Sequence, residues 1–242
     1  MSKKIVSRRI VSALVVAAGA ATVQADVRVL HASPDAPAVD VYANVMPGMG
    51  APAIEDLAFP SATAYLPLPT GSYDFTVTAA NDVNPVLSAP GVAIDQNVDV
   101  TLAAVNFLND IEIVALQDDR TSQAGFARVR FVHFSPDVPT VDVALANGGA
   151  VLFDAVSFTE NGGYISVAPG TYDLEVRLDA DNSVALPLPG ISLTGGFVYS
   201  VFAVGSLQTQ DVQALILVDA IPAPGAIAAL GMGLAVMGRR RR

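Results

Sequence analysis

One block of sequence occurs twice, and that repetition limits what this chain can fold into more than any other feature. Val27-Arg28-Val29-Leu30-His31-Ala32-Ser33-Pro34-Asp35-Ala36-Pro37-Ala38-Val39-Asp40-Val41 returns as Val129-Arg130-Phe131-Val132-His133-Phe134-Ser135-Pro136-Asp137-Val138-Pro139-Thr140-Val141-Asp142-Val143, an offset of 102 residues. Further along, Gly71-Ser72-Tyr73-Asp74 matches Gly170-Thr171-Tyr172-Asp173, and Pro90-Gly91 matches Pro189-Gly190, both at offset 99. The three lost residues fall where the first copy has its loop Met46 to Pro52. Self-similarity at a fixed spacing sets architecture before any local reading. It predicts two units, 26–120 and 126–220, joined by a polar linker at 121–125.

Within each copy the hydrophobic period is two. Val39, Val41 and Ala43 alternate with Asp40, Tyr42 and Asn44, and Tyr172, Leu174 and Val176 alternate with Asp173, Glu175 and Arg177. Such alternation marks half-buried strands. Pro, Gly, Asn and Asp clusters separate short β-rich segments, roughly seven per copy, and no segment of the body has an amphipathic helical pattern. The expected class is all-β: two tandem antiparallel β-sandwiches of Ig-like or transthyretin-like kind.

Charge and composition remove whole classes of function. The segment 26–220 carries all 23 acids against five arginines, Arg28, Arg120, Arg128, Arg130 and Arg177, so the body is far more acidic than the net −10 of the full chain. Such a surface repels phosphate backbones, and no nucleic-acid partner is expected. With no Cys there is no disulfide framework, thiol nucleophile or thiolate metal site. With no Trp the usual sugar-stacking platform is missing, and the six Tyr lie mostly at strand spacing, as packing residues do.

The two histidines are the residues that most suggest chemistry. His31 and His133 occupy matching places, each followed by a Ser-Pro-Asp: Ser33-Pro34-Asp35 and Ser135-Pro136-Asp137. A catalytic or metal role would need His, carboxylate and nucleophile or water to converge. Each copy offers one His, on the strand face of Val27 and Val29, and Ser-Pro-Asp-x-Pro has the chemistry of a turn. These residues, with Asp40 and Asp142, are therefore expected to serve the repeated fold, and no catalytic residue is assigned. Calcium is the one cofactor with a candidate loop. Asp179-Ala180-Asp181-Asn182 places oxygen ligands Asp179, Asp181 and Asn182 close together, as a hard cation prefers, though without the closing Glu of a helix-loop-helix site. The competing reading is a solvated hairpin loop.

Both ends read as addresses. Lys3 to Arg9 is basic, Ile10 to Ala18 is apolar, and Val23-Gln24-Ala25 is a small-residue cleavage site, so 1–25 is expected to be a secretory signal, cut between Ala25 and Asp26 by signal peptidase after engaging the export machinery. At the other end, Ile221-Pro222-Ala223-Pro224-Gly225 precedes the uncharged run Ala226 to Gly238 and then Arg239, Arg240, Arg241 and Arg242. A helix over Gly225 to Gly238 would rise about 21 Å, less than the ~30 Å hydrocarbon core, which makes 221–242 a marginal membrane segment with its cations held at the cytoplasmic side. This tail resembles the PEP-CTERM sorting signal of Gram-negative bacteria, with Ala223 standing where that family has Glu. The resemblance implies delivery to the envelope surface or matrix and an exosortase-like protease as partner.

The repeated block itself, together with the Gly-x-Tyr-Asp strand start and the late strand Tyr199-Ser200-Val201-Phe202-Ala203-Val204-Gly205, resembles the secreted bacterial modules known as domain of unknown function 4397. The resemblance covers about 26–219 and implies an exported, tandem, β-rich surface module without assigned chemistry. The function expected from the whole sequence is an exported, non-catalytic cell-surface or matrix protein acting in structure or interaction. A calcium- or polysaccharide-binding module is the alternative, and a hydrolase the least favoured.

Overall fold

A computed structural model describes residues 24–221. The expected signal segment, apart from Gln24 and Ala25, and the tail beyond Ile221 lie outside the described residues. The first repeat contributes strands β1 (Gln24–His31), β2 (Val39–Ala43), β3 (Ile54–Leu57), β4 (Ser61–Ala62), β5 (Leu66–Pro69), β6 (Gly71–Ala79), β7 (Pro85–Ile94), β8 (Asp99–Val105) and β9 (Glu112–Asp118). The second contributes β10 (Ala127–His133), β11 (Val141–Leu145), β12 (Val151–Val156), β13 (Asn161–Val167), β14 (Gly170–Leu178), β15 (Val184–Leu193), β16 (Val198–Val204) and β17 (Gln213–Ala220). One 3-10 turn, Leu108–Asp110, is the only helical element among the described residues.

The strands form four sheets, two per repeat. In the second repeat the orders are β13-β10-β16-β17 and β12-β11-β14-β15, and in the first they are β4-β1-β8-β9 and β3-β2-β6-β7. What is one bulged strand, β13, in the second repeat is divided in the first: β5 pairs with the start of β1 and β4 with its end. Each pair of sheets encloses its own core. Val27, Val39, Val41, Phe75, Val77 and Leu102 form one, and Phe131, Val141, Val143, Phe153, Val176 and Val201 form the other.

Two details depart from the period-two expectation. First, the sheets are not wholly antiparallel: β1 runs parallel to β8, with Val29 opposite Leu102, and β10 runs parallel to β16, with Phe131 opposite Val201. Parallel strands are usually covered on both faces and read as continuous apolar runs. β8 and β16 do so, being buried along nearly their whole length. Second, β2 and β11 are buried on both faces, although their sequences alternate. Asp40 is enclosed because its carboxylate accepts the N–H groups of Asp56, in the adjacent strand β3, and of Asn81, in the turn after β6.

A third apolar cluster lies between the repeats. Leu30, Ala32, Ala103, Val105 and Leu116 from the first pack with Val132, Phe134, Phe202 and Val204 from the second. The outer face of the β1/β8 sheet is thus the inner wall of a second contact, made with the equivalent face of the β10/β16 sheet. Phe134 and Phe202 stack there with ring centroids 5.7 Å apart.

Candidate functional site

The repeated block places both histidines at full burial, at the ends of β1 and β10. His31 Nδ1 accepts the Ser33 N–H at 3.3 Å, which leaves Nε2 as the protonated nitrogen, donating to Pro37 O at 2.9 Å. His133 repeats the arrangement with Ser135 N–H at 3.2 Å and Pro139 O at 3.2 Å. Burial lowers the pKa of both rings, outweighing the carbonyl bond that would favour the charged form. Each is a neutral ring whose two nitrogens close the Ser-Pro-Asp-x-Pro turn.

The other suggestive side chains are spent in the same way. Asp35 accepts the Leu108 N–H at 2.7 Å, and Asp137 accepts those of Leu207 and Gln208 at 2.8 and 2.9 Å, which pins the loop after the late strand to the turn. The Ser33 and Ser135 hydroxyls are buried and have no partner among the described residues, so neither is bonded to its neighbouring imidazole. The serine, histidine and aspartate of each block therefore do not form a proton relay. Further on, Asp74 and Asp173 each accept the N–H of a left-handed glycine, Gly91 and Gly190, at 2.8 Å.

The densest polar cluster lies where the repeats meet. Arg28, 2% exposed, donates from Nη1 to Asp219 Oδ1 at 2.7 Å and from Nε to Thr101 Oγ1 at 3.1 Å. Arg130, 1% exposed, pairs with Asp118 and donates from Nε to Ser200 Oγ at 2.7 Å. The pairs are crossed: each arginine reaches a carboxylate in the closing residues of the last strand of the other repeat. Thr101 and Tyr65 donate to Asp118 at 2.6 and 2.7 Å, while Ser200 and Tyr164 donate to Asp219 at 2.5 and 3.0 Å. Arg28 lies 4.7 Å over the Tyr65 ring and Arg130 4.9 Å over Tyr164. The cluster has an approximate twofold symmetry that matches the repetition in the sequence.

Burial and the surrounding carboxylates raise the pKa of both tyrosines beyond the range in which phenols ionise in water. Sequence reasoning missed this cluster, although its signal is present. Arg28 and Arg130 sit at the same place in otherwise apolar strands, and Tyr65 and Tyr164 share the offset of 99. A charge fixed inside a buried strand requires a partner.

For the calcium loop the structure makes a different grouping. Asp179 stands with Asp142 and Asp154, one carboxylate oxygen of each lying within 4.8 Å of the others. That separation suits ligands about 2.4 Å from a shared hard cation. Asp181 accepts the Ser183 N–H at 2.9 Å, and Asn182 takes a left-handed conformation, φ 58°, in the turn. Neither belongs to the carboxylate group. In the first repeat the matching positions are Asp40, Glu55 and Ala80, so a third acid is missing there.

The sorting residues Pro222, Ala223, Pro224, Gly225 and Arg239 to Arg242 lie outside the described residues. Among the described residues no helix is long and apolar enough to cross a membrane. At the expected cleavage site, Ala25 is packed into the first core and the Asp26 N–H donates to Asp99 at 3.0 Å.

Comparison with protein families matches the chain to the model "Domain of unknown function (DUF4397)" over residues 25–144 and 144–229. The chain belongs to that family, with two matched segments in tandem. No curated protein matches it.

Proposed function

We propose that this is an exported, non-catalytic protein of the cell surface or extracellular matrix, in which two fused β-modules act as one rigid interaction or structural unit. The observation that carries this reading is the employment of the repeated block. Its histidines, serine amides and aspartates bind their own backbone, and its arginines join one repeat to the other. All five body arginines are engaged in ion pairs, which leaves the acidic surface without a free cationic patch among the described residues and argues against a nucleic-acid partner. Export by way of 1–25, and surface delivery through 221–242 with an exosortase-like protease, rest on the sequence of the two ends.

Cell fractionation with mass spectrometry of both termini tests this. The expected product lies outside the cytoplasm, begins at Asp26 and lacks the Arg239–Arg242 cluster. An unprocessed cytoplasmic chain beginning at Met1 would overturn the reading. Cleavage after Ala25 also converts the Asp26 amide into an α-ammonium already placed beside Asp99.

A second reading, calcium binding, is favoured by the Asp142, Asp154 and Asp179 group. Without a cation, three like charges at that spacing repel, so Asp179→Asn would leave stability equal or higher. With calcium bound, the native protein would melt higher in millimolar calcium and Asp179→Asn would lose that rise. No rise in the native protein removes the reading.

A further inference from the structure

We infer that the outer edge of β17 is a self-association surface, through which two copies of this chain pair β17 to β17 about a twofold axis. An unpaired edge strand displays a row of main-chain donors and acceptors, and proteins ordinarily blunt such edges with proline, bulges, short length or charge. The four sheets have eight edges. β7 carries Pro85 and Pro90, and β15 carries Pro187 and Pro189. β3 and β12 are short and irregular, with Asp56 and Ala155 in left-handed conformations. The β4/β5 edge is broken in two, and β13 contains Gly162-Gly163 and a register shift. β9 exposes Glu112 and Gln117.

β17 has none of these devices between Gln213 and Val218. It reads Gln213-Ala214-Leu215-Ile216-Leu217-Val218, without proline or charge, and its register against β16 stays regular until Val218. Leu215 and Leu217 face the inter-repeat cluster. Ile216 and Val218, on the other face, are 38% and 49% exposed. The repeat supplies an internal control. The matching exposed positions of β9 are Ala115 and Gln117, so the apolar stripe belongs to the second copy alone.

A self-complementary apolar stripe without exposed charge fits a second copy as the partner. The acidic body repels its own kind nearly everywhere, yet the one charge on β17, Asp219, is buried and neutralised by Arg28. The β7, β13 and β15 edges are uncharged too but are broken by proline or glycine, so β17 is the regular edge along which two such bodies can meet without opposing carboxylates. An antiparallel register centred on Ile216 sets that residue against its own copy and Val218 against the partner's Ala214, and it joins two four-stranded sheets into one. The contact is isologous and closes at two copies. Arg120, whose Nε donates to Asp219 O at 2.8 Å, ends the free edge beyond Val218.

This inference deepens the interaction role proposed above and fails separately from it: a monomer found at the cell surface would end the dimer and leave the sorting account intact. Sedimentation of the exported chain should show the mass doubling reversibly between about 1 and 100 μM, as suits a short, weak edge contact. Ile216→Lys and Val218→Lys should each abolish the dimer without loss of the folded far-ultraviolet spectrum. Because the chain has no Cys, Ile216→Cys should oxidise to a disulfide-linked dimer while Ala115→Cys does not. A native monomer throughout that range, a dimer indifferent to both lysines, or growth beyond two copies would overturn the proposal.

Discussion

At the scale of single residues, chemical suggestiveness and burial point in opposite directions. His31 and His133 stand beside serine and aspartate, but each imidazole is neutral and saturated by its own turn. The consequence can be read as pH dependence. Their folded pKa values lie below 6.5, so the unfolded chain takes up protons that the folded chain resists. This contribution is complete above about pH 6.5 and shrinks as pH falls below it. Urea midpoints should drop from pH 7 toward pH 5, less steeply in His31→Gln, and a midpoint that rises over that range would refute the assignment. The crossed ion pairs make a stronger prediction. Asp219→Asn leaves Arg28 buried opposite a neutral group and should cost about 3–5 kcal/mol, whereas Asp26→Asn, half exposed, should cost under about 1 kcal/mol. Equal losses in denaturant titration would contradict the burial argument.

At the scale of elements, the strands and turns were largely legible. Period-two alternation located β2 and β14, and the Pro-Gly pairs mark the glycines bent into left-handed conformations in β7 and β15. The parallel pairings were not legible, because strand direction within a sheet depends on how the chain crosses between layers. Nor was the enclosure of Asp40 and Asp142, since the amides that cover them come from irregular left-handed positions in the neighbouring strands β3 and β12. The calcium loop shows the same limit. Asp179, Asp181 and Asn182 are neighbours along the chain, but the turn directs Asp179 toward Asp142 and Asp154 on other strands. One turn gives a sharp test. Gly205, φ 89°, follows the end of β16, and a Cβ there would meet Asp211 O at 2.4 Å. Gly205→Ala should cost about 1–3 kcal/mol, read as a lowered melting temperature, and a neutral outcome would show that the loop yields freely.

At the scale of the whole molecule, the repeat is both how the chain is written and how it is assembled. Two copies of one sandwich meet through the same face, with Arg28 reaching Asp219 and Arg130 reaching Asp118 around a shared apolar cluster. The sequence shows the copies but not their contact, because the contact involves the strand faces turned away from each core. The arginines at matching places were the available clue. The contact makes the protein one body instead of two modules on a tether, and that is the central claim to test. Calorimetry of the processed protein, at a concentration where it is monomeric, should show a single transition whose calorimetric and van't Hoff enthalpies agree. Asp118→Asn or Asp219→Asn should lower that whole transition. Two separable transitions in the native protein, with either variant shifting only one of them, would contradict the account.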